Sequence, residues 1–425
     1  MKFLDQVQTA AKLLAALRSQ WWDETRIRDY QERALILMMR HALANVPFYR
    51  DLGLSPGAVG SAADLKRFPV ITKKDIQRAP QAFLARGFER GRLYASRTSG
   101  SSGQPTTTYF DRNAWLLGKY ALKMRRVAAT SPLSLGRRVL IVSEQEPDQL
   151  SALEAAASSG LHLFIQQRYL SIHTPAAEHL PFLLSYRPHI LYAFPSYLLD
   201  LITIAERQGV PLPQNAMLYT SSEVLTSAAR ERIERAFAGR VCDVYGSTEF
   251  KEVAWQCSQG RYHLNFESVH LEAQNSGSKG PVVLSSLCNF AMPLLRFSIG
   301  DRAVFGSSAC RCGRQSLNLL AFEGREGDMI ELPDGRRISP YLLTTAIESE
   351  QSILQYRIVQ SAARAYRIDA VVAACGDSVR WRDPVCAKLQ RLLGAGVSVT
   401  VREVERLERA ASGKRSVFQR VPAGA

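Results

Sequence analysis

Three short apolar runs, at residues 138–142, 161–165 and 189–193, alternate with stretches of helical spacing, and this alternation constrains the fold more than any other feature. Runs of that length, rich in Val, Ile and Leu, are the pattern of buried strands in an α/β sheet. A chain of 425 residues exceeds a usual single domain, so two to three folding units are expected. Residues 1–49 read as helical, with Phe3, Val7, Ala10, Leu13, Leu14 and Leu17 on one face that is taken to point to the core. A second helix around 35–43 stops at Pro47, and Thr72 is the expected N-cap of another. Residues 282–325 turn β-rich. The segment from 329 to 425 mixes strands at 356–359 and 368–372 with a helix near 384–393, the content of a small α+β domain. The boundary is placed at 324–328, giving domains 1–328 and 329–425.

Composition removes several function classes. Hydrophobic residues make up 46% and charged residues 22%, as in a globular protein rather than a disordered one. The formal charge is +15, but the basic residues are scattered and carry no nucleic-acid-binding signature, so no nucleic-acid partner is expected. Phosphorylated small molecules suit that charge equally well. Lys2, Asp5, Lys12 and Arg18 interrupt any apolar core of a secretory signal, and no apolar run reaches membrane-spanning length. A cytoplasmic location is expected. Seven cysteines, an odd count, argue against a disulfide scaffold and leave thiols for packing or metal.

The stretch Arg97-Thr98-Ser99-Gly100-Ser101-Ser102-Gly103-Gln104-Pro105-Thr106-Thr107-Thr108 gathers hydroxyls and glycines without a hydrophobic residue. Gly100 and Gly103 let the backbone approach an anion, while Thr98, Ser99, Ser101 and Ser102 offer hydroxyl donors beside the backbone N–H groups. Its order is not that of a Walker P-loop. A solvated linker would have the same composition.

Further elements follow in order: Phe194-Pro195-Ser196-Tyr197, Tyr245-Gly246-Ser247-Thr248-Glu249, Ser298-Ile299-Gly300-Asp301, Gly324-Arg325-Glu326-Gly327-Asp328 and Ala411-Ser412-Gly413-Lys414-Arg415. This set resembles the adenylate-forming superfamily of AMP-binding proteins, and within it the branch of phenylacetate-CoA ligases, coenzyme F390 synthetases and capsule-biosynthesis ligases. The openings His41-Ala42 to Tyr49 and Pro69 to Ile76 are similar to that branch too. The resemblance implies a large multi-subdomain adenylation domain at 1–328 and a small mobile α+β domain at 329–425. It implies an ATP-dependent carboxylate ligase that forms an acyl- or aryl-adenylate, releases pyrophosphate and passes the acyl group to CoA.

Roles come with the resemblance. The hydroxyl loop would cradle phosphates, Tyr245 with Gly246 and Ser247 would meet adenine, Thr248 phosphate, and Glu249 Mg2+, an ion suited to hard oxygen donors. Asp301 would accept from the ribose hydroxyls with Arg325 in support. Ser222 and Glu223 would also line the nucleotide side, and residues 143–145, 192–196 and 220–223 the acid pocket. Lys414 would be a mobile catalytic lysine, and Asp328 a hinge. Taken singly, Tyr245 reads as a core aromatic, Glu249 as a solvated acid, Asp301 as a turn former and Lys414 as a surface charge. An aromatic acid is expected on the same ground.

Two segments depart from the family pattern. Met329 to Pro340 replaces the segment that helps form the CoA-binding face, so an amine acceptor and an amide product stay open, as does a non-catalytic relative. Phe297-Ser298-Ile299-Gly300-Asp301 is the milder change. The sequence does not decide the oligomeric state, with a homodimer among the outcomes it allows.

Cys257 and His263, followed by Cys310 and Cys312, form two hairpin-like pairs with the donors of a tetrahedral Cys3His zinc set. Buried thiols and a satisfied core histidine are the alternative. Cys242, Cys288, Cys375 and Cys386 sit in apolar contexts and read as packing residues.

Overall fold

The computed structural model describes residues 3–97, 105–131, 136–144, 165–272, 275–332, 334–350, 352–373, 381–394, 396–410 and 413–421. The core of the hydroxyl loop, Thr98, Ser99, Gly100, Ser101, Ser102 and Gly103, lies outside the described residues. The chain divides into two compact units, residues 1–134 with 242–322 and residues 135–241 with 323–425.

In the first unit the helix Glu24–Asn45 starts where the Asp23 carboxylate accepts the Arg26 N–H at 2.8 Å. It ends at Val46 because Pro47 forces the preceding residue into extended backbone. Its buried residues Ile27, Leu35, Met38, Met39, Ala42 and Leu43 recur at helical spacing and join Phe68, Phe83, Phe266, Phe297 and Phe305 in one core. Thr72 opens the helix Lys73–Arg78, where the Asp75 carboxylate accepts the Thr72 N–H at 2.8 Å and its hydroxyl at 2.7 Å. Strands Tyr262–Leu264, Lys251–Gln256 and the C-terminal part of Arg240–Ser247 run antiparallel to their neighbours, as do Val269–Leu271, Lys279–Ser286 and Phe297–Phe305.

The opening helix, Phe3–Ser19, does not face the way its pattern suggests. Leu4, Val7 and Leu14 are exposed, while Asp5, Thr9, Ala16 and Ser19 are buried. Polar anchoring decides this orientation. Asp5 accepts from Arg112 Nε at 2.6 Å and Ser19 donates to Glu267 at 2.6 Å, and buried polar groups must be paired whichever face is the more apolar.

The second unit contains a parallel sheet in the order Met217–Ser221, Ile190–Ala193, Arg137–Ser143, Ile165–Ser171. Its register sets Leu140 beside Leu191 and Leu191 beside Leu218, and all three are buried. The helix Pro195–Gln208 covers them with Leu198, Leu201, Ile202 and Ala205. Of the strand expected at 161–165, residues 161–164 lie outside the described residues, and Ile165 opens the strand seen. Later in the same unit a four-stranded sheet has the order Ser398–Glu403, Ala365–Val372, Ile353–Ala362, Phe418–Arg420. Helices Pro340–Glu348 and Arg382–Leu393 pack on it through Leu343, Ile347, Leu389 and Leu393 against Ile358 and Ile368. The architecture is α/β with a small α+β portion at the C-terminus. No described helix is long and apolar enough to cross a membrane.

Candidate active site

Strand Arg240–Ser247 ends in a turn that reverses into Lys251–Gln256, and the turn carries the motif Tyr245 to Glu249. A side chain at Gly246 would strike the Lys251 carbonyl, so only glycine lets the two strands close this tightly. Ser247 Oγ accepts the Phe250 N–H at 3.1 Å and closes the turn. Tyr245 donates its hydroxyl to Asp301 at 2.8 Å, and its ring lies 4.1 Å from that of Phe322. Asp301 follows Gly300, whose φ of +86° turns the strand. Two residues 56 positions apart thus meet on an aromatic wall. Glu249 is 8% exposed, and among the described residues its carboxylate is in no ion pair. Thr248 is half-buried beside it.

Three lysines stand next to this turn, and none was among the residues expected. Lys251, at a left-handed φ of +64°, reaches over the rings of Phe110 at 4.5 Å and Trp115 at 4.7 Å. Lys119 lies 4.6 Å from the same Trp115 ring. Burial, followed by the charges of Lys119 and Lys123, brings Lys251 down to about 7, against the pull of Glu249. Lys119 and Lys123, one helical turn apart, look in sequence like a solvated basic face, and only the tertiary fold brings Lys251 to them.

In the second unit, Ser222 sits at φ +71° just past the strand Met217–Ser221 and sets Glu223 beneath the helix Pro195–Gln208. Glu223 accepts the Ser196 N–H and hydroxyl, each at 2.9 Å, and the Arg415 N–H at 2.6 Å. Arg409 donates to Ser196 Oγ at 2.7 Å and pairs with Asp200 at 2.5 Å, while Arg415 pairs with Asp200 at 2.9 Å. These contacts dock the segment that carries Lys414. Gly413, at φ +75°, packs against Ile172, where any side chain would collide. Lys414 itself pairs with Glu144 at 3.3 Å. The sequence motifs reached Lys414 and Ser196 and quoted Arg415 only as the neighbour of Lys414, while Arg409 and Asp200 were missed and carry no local signal.

The remaining expected residues fall in the same unit. Arg325 is exposed and Asp328 half-buried, with burial raising the Asp328 carboxyl against the opposing charges of Arg325 and Arg420. Tyr192 donates to Ser221 at 2.7 Å, and Thr220 is buried. Gln145 lies outside the described residues.

Cys257, His263, Cys310 and Cys312 converge: their ligand atoms all lie within 4.8 Å of one another. The Cys257 and Cys310 sulfurs are 3.8 Å apart, and Cys312 Sγ is 3.2 Å from His263 Nε2. Tetrahedral bonds of about 2.3 Å put two zinc-bound sulfurs about 3.8 Å apart. Two turns position the donors, one closed by Gly260 N–H to Cys257 O and one by Gly313 N–H to Cys310 O, each at 3.0 Å. His263 Nδ1 meets Ser316 Oγ at 3.2 Å, which orients the ring as an outer partner orients a metal ligand. Burial, and then Arg314, brings His263 down to about 4, leaving the neutral ligand form at neutral pH. Burial pushes the Cys257 thiol up to about 11. At Cys312 burial acts the same way but is outweighed by hydrogen bonds, chiefly from Arg314, and the thiol is lowered. The donor set fits a zinc ion.

No protein-family model matches the sequence. The chain is 25% identical over 326 residues to a phenylacetate-coenzyme A ligase of Thermus thermophilus, covering 72% of each chain. Among solved structures it resembles a 2-hydroxyisobutyryl-CoA ligase in the postadenylation state in complex with R3-HIB-AMP, with a TM-score of 0.80, 19% identity and coverage of 95% of this chain and 92% of that one. An amide bond synthetase, McbA of Marinactinospora thermotolerans, aligns with a TM-score of 0.53 at 16% identity, over 79% of this chain and 70% of its own.

Proposed function

We propose that this chain, which belongs to the adenylate-forming superfamily, is an ATP-dependent ligase that converts a carboxylic acid to its acyl-adenylate with release of pyrophosphate and then transfers the acyl group to CoA. The observation that carries the reading is the pairing of Tyr245 with Asp301 on the wall shared with Phe322. It holds the carboxylate of Asp301 beside an aromatic face, the arrangement that ribose hydroxyls and a flat purine need.

In this reading the acid attacks the α-phosphate, and the site's task is to hold the nucleotide in line and offset the crowded anionic charge. Asp301 accepts from the ribose, and Tyr245 with Gly246 and Ser247 supports adenine. Thr248 donates to phosphate. Ser222 and Glu223 order the Ser196 segment. Bound Mg2+ would supply charge neutralisation on phosphate oxygens, and Glu249, a hard donor engaged in no ion pair among the described residues, fits as its protein ligand. Lys414 neutralises charge during adenylation, and the pairs made by Arg409 and Arg415 hold its segment. We take 1–328 as the adenylation domain and 329–425 as the small mobile domain, with Asp328 the hinge and Arg325 beside it. Zinc bound by Cys257, His263, Cys310 and Cys312 cross-links two turns and has no part in the reaction. A cytoplasmic setting belongs to the same proposal.

A second reading, transfer to an amine with formation of an amide, draws on the likeness to the amide bond synthetase and on the segment after Asp328, a short hairpin of Ile330–Glu331 with Arg337–Ile338. Exchange of pyrophosphate into ATP, dependent on one carboxylic acid, tests both readings. Discharge of the adenylate by CoA supports the first, discharge by an amine the second. Absence of exchange across acyl, aryl and amino acids would remove them together.

A further inference from the structure

The helical stretch after the hydroxyl loop contains a π-helical turn, Leu117–Ala121, and that turn carries Lys119. Such turns widen a helix at the expense of its regular hydrogen bonding and are common at functional sites. Gly118 in the same turn lets the Lys251 side chain run against the helix, where a Cβ would stand 3.4 Å from Lys251 Cβ and Cγ. Lys123 follows one helical turn after Lys119 and is open to solvent, whereas Lys119 and Lys251 are half-buried. Three ammonium groups therefore gather, with Glu249 drawing on Lys251 but not in contact with it.

Their partners are aromatic rather than acidic. Trp115 serves both Lys119 and Lys251, Phe110 serves Lys251, and Tyr94 stacks on the Trp115 ring at 5.0 Å. Among the described residues no carboxylate lies within ion-pair distance of any of the three. The Glu252 carboxylate, which draws Lys123, is already held by Arg126 at 3.1 Å. Half-buried like charges without counter-charge are unfavourable, and rings return only part of that cost. On the strand Thr107–Phe110, Thr108 shares a face with Phe110 and is 1% exposed, with a hydroxyl that has no hydrogen-bond partner among the described residues. A buried hydroxyl without a partner thus lies on the strand face that carries Phe110, the ring under Lys251.

We propose that Lys119, Lys123 and Lys251 form an anion subsite for a second acidic group on the carboxylic acid substrate, so that the acid adenylated is a dicarboxylate or similarly charged acid. The inference rests on the proposed ligase reading. It places the far end of the substrate two residues from Glu249, against the rings of Phe110 and Trp115, with its carboxylate drawing on the lysines. An aromatic monoacid would leave the three charges as they stand and so has no advantage here.

The test compares glutarate with valerate, equal in chain length and differing by one carboxylate, in pyrophosphate exchange with the wild type, Lys251→Met and Lys119→Met. The Met side chain keeps the apolar stem over the rings. The wild type is expected to use glutarate with the lower KM. Each substitution should raise the glutarate KM about ten- to a hundredfold, the loss of one charged hydrogen bond, and leave the KM for ATP unchanged. Equal use of valerate by the wild type overturns the proposal. A rise in the KM of ATP or pyrophosphate instead assigns the lysines to the polyphosphate and overturns it equally. Should no acid support exchange, the ligase reading fails alone, and glutarate titrated calorimetrically into the wild type and Lys123→Gln decides the subsite. Binding lost in the variant upholds it, and no binding by the wild type ends it.

Discussion

The segment around Lys414 and the lysines around Lys251 are both rich in cations, and they satisfy them in opposite ways. Arg409 and Arg415 share Asp200, and Lys414 meets Glu144. Lys119 and Lys251 meet rings instead, and Lys123 has only a carboxylate already held by Arg126. Matched charge fixes a position, because either partner left alone in a half-buried place is unfavourable. Charge that meets only rings recovers part of its desolvation cost, and a ligand of opposite sign would supply the rest. The Cys257–His263–Cys310–Cys312 cluster is a third case, four donors set at metal distances.

The largest effect is expected at that third case. Removing zinc by chelation should lower the stability of the purified protein by several kcal/mol, and one equivalent of zinc should be found before treatment, measured by metal analysis and thermal unfolding. A protein whose unfolding is unmoved by the chelator would return the four residues to ordinary packing. Next is Asp200→Ala, which strands Arg409 and Arg415 and should cost about 3–5 kcal/mol in denaturant unfolding. A cost near zero would mean that the arginines hold nothing and would break the contrast with Lys251.

Lys414→Ala should slow adenylation about a hundred- to a thousandfold while its unfolding stays close to wild type, since its own pair with Glu144 is a third exposed on each side. Normal exchange in that variant would leave Lys414 a surface charge. For Lys251→Met the sign reverses: stability should stay level or rise by about 0.5–2 kcal/mol, the pattern of a functional group carried at the expense of the fold. A marked loss would show the lysine to be structural. The smallest effect concerns Asp369, held below the ordinary carboxylate range by hydrogen bonds and charge from Arg367 and Arg402 that outweigh its burial. Its folded pKa is depressed, so its contribution is present above the unfolded value of 3.8 and fades as pH falls through the folded one. Asp369→Asn should flatten that acid limb.

What could be read without coordinates was local. Tyr245 to Glu249, Gly300-Asp301 and the Cys-x-Cys pair are short runs that stood out by their order along the chain and the family they resemble, and the strands at 138–142 and 189–193 appear where apolar runs predict them. The same kind of reading put the wrong face of Phe3–Ser19 toward the core, because apolar spacing says nothing of distant partners such as Arg112 for Asp5 and Glu267 for Ser19. The lysine cluster was invisible for a related reason. Lys251 lies 132 positions beyond Lys119 in the chain, and nothing local marks a lysine as lacking a carboxylate.

The sequence by itself therefore carried the α/β class, the resemblance to adenylate-forming proteins and the chemical type of each candidate residue, since these reside in residue identity and short-range order. Only the tertiary structure decided which charges are paired. Coulomb energies and desolvation depend on through-space distance and burial, and chain order carries neither.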